Sequence, residues 1–115
     1  MIVISGKNNK SRVVENLIRK EFRTESIVII DTVGIKGWAG QDWATIWNVD
    51  SGSYKETISS FEKDIDSFKK FDWIVFYVNS PEESIEKFKE LDRKYPQNFI
   101  VTIQADNGLT DKYFI

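Results

Sequence analysis

Four stretches of the chain are apolar with little or no interruption: Ile2 to Ile4, Ile27 to Ile30, Trp73 to Val78, and Phe99 to Ile103 with only Thr102 intervening. Short runs rich in β-branched and aromatic side chains, not alternating with polar ones, predict strands buried on both faces, as in a parallel sheet. Between them the apolar positions recur at helical spacing. Val14, Ile18 and Phe22, beside Val13 and Leu17, form one stripe opposite Arg12, Glu15, Arg19 and Lys20. Tyr54, Ile58, Phe61, Ile65 and Phe68 form a second, opened by Ser53 and Glu56 in the spacing of a capping box. A third starts at Ser80-Pro81-Glu82-Glu83, with Ser as N-cap and Pro at the first helical position. It continues through Ile85, Phe88 and Leu91 and ends before Pro96.

The order is therefore strand, helix, strand, long loop, helix, strand, helix, strand. Right-handed crossovers then give a three-layer α/β fold, a mainly parallel sheet of four to five strands with helices on both faces and the first strand in the interior. At 115 residues the chain has room for a single α/β domain spanning 1–115. The last residues, Lys112 to Ile115, fit either a short edge strand or a tail packed on the sheet.

Composition narrows the chemistry. A formal charge of −2 without a block of either sign makes nucleic acid an unlikely partner. The absence of cysteine and histidine excludes disulfides, thiolate or imidazole metal sites and His-dependent triads, leaving carboxylate binding of a hard cation open. The apolar N-terminus is too short for a signal segment or membrane span, which points to a soluble, cytoplasmic protein. Strand ends carry small or polar residues, Ser5-Gly6, Asp31-Thr32, Asn79-Ser80 and Gln104-Ala105-Asp106, and in open α/β sheets the ligand crevice lies along that edge.

The first strand runs into Ser5-Gly6-Lys7-Asn8-Asn9-Lys10-Ser11, a polar turn with Lys-Ser opening a helix. This resembles the Walker A loop of P-loop NTPases, G-x-x-x-x-G-K-[ST], with Gly6, Lys10 and Ser11 matching the first Gly, the Lys and the Ser. Three residues separate Gly6 from Lys10 where the family has five, and Asn9 stands in place of the second Gly. Ile27 to Asp31 is similar to a Walker B strand, and Asp31-Thr32-Val33-Gly34 fits D-x-x-G. The resemblance covers about the first third of the chain and implies a P-loop-like or Rossmann-like fold. It also implies a nucleotide or phosphate held by Gly6, Lys7, Asn8, Asn9, Lys10 and Ser11, with Asp31 nearby for a cation. The shortened loop and the missing glycine imply binding without catalysis, and no catalytic residue is assigned. Equally, the same residues suit a plain α/β unit in which Gly6 makes the turn, Asn8, Asn9 or Ser11 caps the helix, and the lysines are solvated. A dinucleotide fold is less favoured, because G-x-G-x-x-G is absent.

The segment from Thr32 to Gly52 shows no strand pattern, and a loop of that length calls for a function or hidden structure. It holds Trp38, Trp43 and Trp47 among Gly34, Gly37 and Gly40, and Gln41 to Trp47 fits a short helix presenting Trp43 and Trp47 on one face. The alternative function is accordingly a protein-interaction module in which these indoles anchor a partner or a second subunit. Against it stands a covering role, in which the rings fold back over the core or a sheet edge.

Overall fold

The computed structural model describes residues 1–7, 10–22, 25–35, 38, 43–49 and 53–104, and the backbone of 111–114. Its elements are β1 (Ile2–Gly6), α1 (Lys10–Glu21), β2 (Ile27–Asp31), β3 (Thr45–Asn48), α2 (Tyr54–Lys63), α3 (Ile65–Phe68), β4 (Trp73–Ser80), α4 (Ile85–Lys94), β5 (Asn98–Gln104) and β6 (Asp111–Phe114). They build one sheet in the order β3-β2-β4-β5-β1-β6, in which the first five strands are parallel and β6 runs antiparallel to β1. The expected three-layer α/β architecture, with β1 in the interior, is present. The chain's tail is the edge strand of the two arrangements its sequence allowed.

The apolar runs form the buried strands because each presents one set of side chains to either face. Val3, Val28, Ile30, Ile74, Phe76, Phe99 and Val101 pack against Phe61, Phe68, Phe88 and Leu91 of α2, α3 and α4. On the opposite face Ile2, Ile4, Ile27, Ile29, Val75 and Ile100 pack against Val14, Leu17 and Ile18 of α1, with Trp38 completing the cover.

Four local departures from the sequence pattern have physical causes. The long segment after β2 contains β3, where a helix over Gln41 to Trp47 was the expectation; Gln41 and Asp42 lie outside the described residues, and 45–48 is strand. Pairing with β2 satisfies backbone groups that a helix would leave open on that edge, and Thr45, Ile46 and Trp47 all favour strand. The second helical stripe is divided at Asp64, whose φ of −106° and ψ of 29° end α2 before α3 carries Phe68 on into the core. The Ser53 cap itself forms, its hydroxyl accepting from the Glu56 amide at 3.1 Å.

Ser80 does not cap the third helix: it ends β4, and its hydroxyl donates to the Thr102 carbonyl at 2.9 Å. Pro81 is extended, a short 3-10 turn over Glu82–Ser84 intervenes, and α4 begins at Ile85. Finally, β4 bulges against β5: the register passes from Phe76↔Val101 to Ser80↔Ile103, so extra β4 residues oppose Thr102. The Thr102 hydroxyl fills this bulge, accepting from the Val78 amide at 3.0 Å and donating to the Val78 carbonyl at 2.8 Å.

Candidate functional site

The turn between β1 and α1 stands at the carboxyl edge of the sheet. Gly6 ends β1 in register with Gln104 of β5, and Lys10 is the first residue of α1. The Lys10 side chain curls back over this last register pair, its Nζ donating to the Gly6 carbonyl at 2.9 Å and to Gln104 Oε1 at 3.0 Å. Lys10 is only 4% exposed, and burial holds its pKa below the ordinary lysine value. The solvated lysine of a plain α/β unit is therefore not what this position holds. Lys7 is exposed at the mouth of the turn, and Ser11 is half-buried at the start of the helix. Asn8 and Asn9 lie outside the described residues.

Asp31 ends β2, separated from β1 by β4 and β5, which at ~4.8 Å per strand spacing places it about 14 Å away. Its buried carboxylate is given over to its own chain. Oδ1 accepts from the amides of Val33 at 2.8 Å and Gly34 at 2.9 Å, and Oδ2 accepts from the Ile35 amide at 2.8 Å and Trp38 Nε1 at 2.9 Å. A carboxylate has roughly four lone-pair sites, and these donors occupy them. Gly34 supports the wrap with a φ of +79°, a conformation that side-chain-bearing residues rarely adopt. The D-x-x-G spacing thus produces a loop closed on its own aspartate.

Tyr77 of β4 joins the two regions. It pairs with Asp31 in register, and its ring meets Trp38 edge-on at 5.1 Å. Burial pushes its pKa up, and the nearby Asp31 charge adds to this, while hydrogen bonding from the Ser11 hydroxyl and amide pulls it down. The phenol thus lies beside Ser11, at the start of α1.

The three indoles do not share a surface. Trp38 is 2% exposed and belongs to the core. Trp43 is half-buried against Trp38 on the α1 face, with ring centroids 6.1 Å apart. Trp47 lies on the other side of the sheet, 4.8 Å from Phe68, and is 37% exposed. The common face expected of Trp43 and Trp47 is absent because no helix links them: Trp43 precedes β3 and packs on the α1 face, while Trp47 lies within the strand and faces the other way.

A concavity of about 350 Å³ lies at the ends of β2 and β3, lined by Asp31, Thr32, Val33, Gly34, Asn48 and Val49. A groove of about 430 Å³ runs between α2 and α4. Lys55, Lys87 and Lys94 line it together with Glu62 and Glu90, and Lys94 pairs with Glu62 at 2.7 Å. Among the described residues no cluster of acidic side chains could hold a metal ion, and no helix is long and apolar enough to cross a membrane.

Sequence reasoning found Lys10 and Ser11 from the strand-Gly-Lys-Ser pattern, but gave no role to Gln104 and missed Tyr77. The one available signal was a phenol inside an apolar run, since a buried hydroxyl needs a partner. Fold and strand-end geometry together define an open, mainly parallel α/β domain with a buried lysine at its first strand-to-helix turn. No family model matches the chain, and no curated protein or solved structure shows significant similarity to it.

Proposed function

We propose that this domain binds a phosphate group, free or as part of a nucleotide, at the β1–α1 turn, as a noncatalytic relative of P-loop proteins. The observation that carries this reading is Lys10. A buried ammonium at the N-terminal end of a helix is opposed twice, by lost hydration and by the positive end of the helix dipole. Its described partners are both neutral oxygens, and desolvation alone accounts for its lowered pKa. Among the described residues no carboxylate pairs with it; an anion at the turn would supply a counter-charge, and helix N-terminal amides are suited to hold it. Lys7 at the mouth, with Gly6, Asn8, Asn9 and Ser11 around the turn, completes the proposed ligand set.

Two features favour binding over turnover. The Asp31 carboxylate is filled by protein donors and stands apart from the turn, so in this reading it anchors the loop behind the site rather than a cation. Burial raises the pKa of Tyr77, so its phenol stays protonated near neutral pH and offers no general base.

Thermal unfolding with millimolar pyrophosphate, ATP or GTP tests the reading. Wild-type protein is expected to gain stability with at least one of these, and Lys10→Ala to lose that gain while still unfolding cooperatively. A wild-type transition that none of them moves rejects phosphate binding.

A further inference from the structure

The two edges of the sheet differ in kind. One is β6, whose four residues include Asp111 and Lys112, charges of the sort that discourage strand-to-strand association. The other is β3, Thr45-Ile46-Trp47-Asn48, with no charge, proline or bulge. Trp47 there is one of two large apolar side chains exposed among the described residues.

The backbone of β3 shows which groups face outward. The Val49 amide donates to the Asp31 carbonyl at 3.0 Å, so the odd-numbered positions of this strand bond to β2. Alternation then turns the N–H and C=O of Ile46 and Asn48 away from the sheet, and no described strand lies beyond them.

We infer that β3 pairs antiparallel with β3 of a second copy of this chain, extending both sheets across a two-fold axis. A two-fold axis perpendicular to a sheet allows only registers in which one residue meets its own counterpart. Because Ile46 and Asn48 carry the outward groups, one such register pairs Ile46 with Asn48 of the partner and Asn48 with Ile46. These are hydrogen-bonded pairs. Trp47 then faces its own symmetry mate at the closer, non-hydrogen-bonded position, where an aromatic pair is most favourable. The strand thus supplies donors, acceptors and apolar surface that complement themselves, with no like charges to oppose each other. An isologous contact of this kind is closed and does not propagate into fibres. It is small beside the roughly 1,200 Å² of standard interfaces, so association is weak and becomes visible near ~100 µM.

Sedimentation equilibrium across a concentration series, joined to cysteine cross-linking, tests the inference. The chain has no cysteine of its own, so a single introduced thiol reports without background. Wild-type protein is expected to show a monomer–dimer equilibrium. Asn48→Pro removes an outward N–H that β2 does not use, and is expected to be monomeric with its fold intact. Trp47→Cys is expected to form a disulfide-linked dimer under mild oxidation, because Cα atoms ~4.5 Å apart across such a pair suit a disulfide. Ile46→Cys, opposite Asn48, is expected to cross-link at least ten-fold less. A wild-type chain monomeric at ~1 mM overturns the inference. So does a dimer that survives Asn48→Pro, or cross-linking of Ile46→Cys equal to that of Trp47→Cys.

Discussion

Replacing Asp31 with asparagine is the most incisive perturbation of this molecule, since it changes almost no volume. The carboxylate accepts four hydrogen bonds, from the amides of Val33, Gly34 and Ile35 and from Trp38 Nε1. An amide group can accept at only one of its two ends. In one orientation the NH₂ confronts the Val33 and Gly34 amides; in the other it confronts the Ile35 amide and the indole. Either way two bonds are lost, two donors face a donor, and the remaining bonds lose their charge assistance. Hydrogen bonds to a charged acceptor contribute ~1.5–3 kcal/mol each, so the expected loss is ~3–5 kcal/mol, a large share of the 5–15 kcal/mol that holds a typical domain together. Urea denaturation followed by far-ultraviolet circular dichroism measures it. Trp38→Phe and the double variant close a cycle that isolates the indole bond; that pair should couple by ~1–2 kcal/mol. Asp31→Asn unfolding within ~1 kcal/mol of wild type would refute the view that this carboxylate organises the loop.

Three further outcomes follow from the described geometry. The lowered pKa of Lys10 means that the unfolded chain holds this proton more tightly. Wild type should therefore gain stability relative to Lys10→Met as pH rises through the interval between the lowered value and the ordinary lysine value of 10.5, as denaturation at matched pH will show. Tyr77→Phe removes a competitor for the Ser11 donors and should tighten phosphate binding ~3–10-fold by calorimetric titration, whereas weaker binding would make the phenol a ligand itself. Thr102→Val keeps the shape of the side chain but strips the buried Val78 amide of its acceptor, and should cost about 2 kcal/mol of unfolding free energy.

The parallel strands were legible because burial on both faces leaves an unbroken apolar run. β3 was not, since only its Ile46 is appreciably covered and its exposed Thr45, Trp47 and Asn48 carry no pattern that burial would impose. Helical period found the stripe through Ile65 and Phe68 but could not register the break at Asp64, which changes the backbone while leaving the apolar spacing almost intact. At the turn, local sequence exposed Lys10 and Ser11, which are neighbours in the chain. Gln104 reaches Lys10 from 94 residues away, and such proximity comes only from strand order. The same holds for Asp31: its spacing after Lys10 suggested a shared site, but two intervening strands hold the two apart.

The position of β1 sets the timetable of synthesis. Ile2 pairs with Ile100 on one side and with Phe114 on the other, so both neighbours of β1 leave the ribosome long after it does. At about 5–20 residues per second, the apolar Ile2-Val3-Ile4 segment waits several seconds or longer for a partner strand. Meanwhile β2, β3 and β4, which neighbour one another, can assemble a partial sheet whose β4 edge offers the nascent β1 a parallel, apolar and incorrect place to dock. Only when β5 takes that edge, pairing with β4 on one side and β1 on the other, is the incorrect place closed.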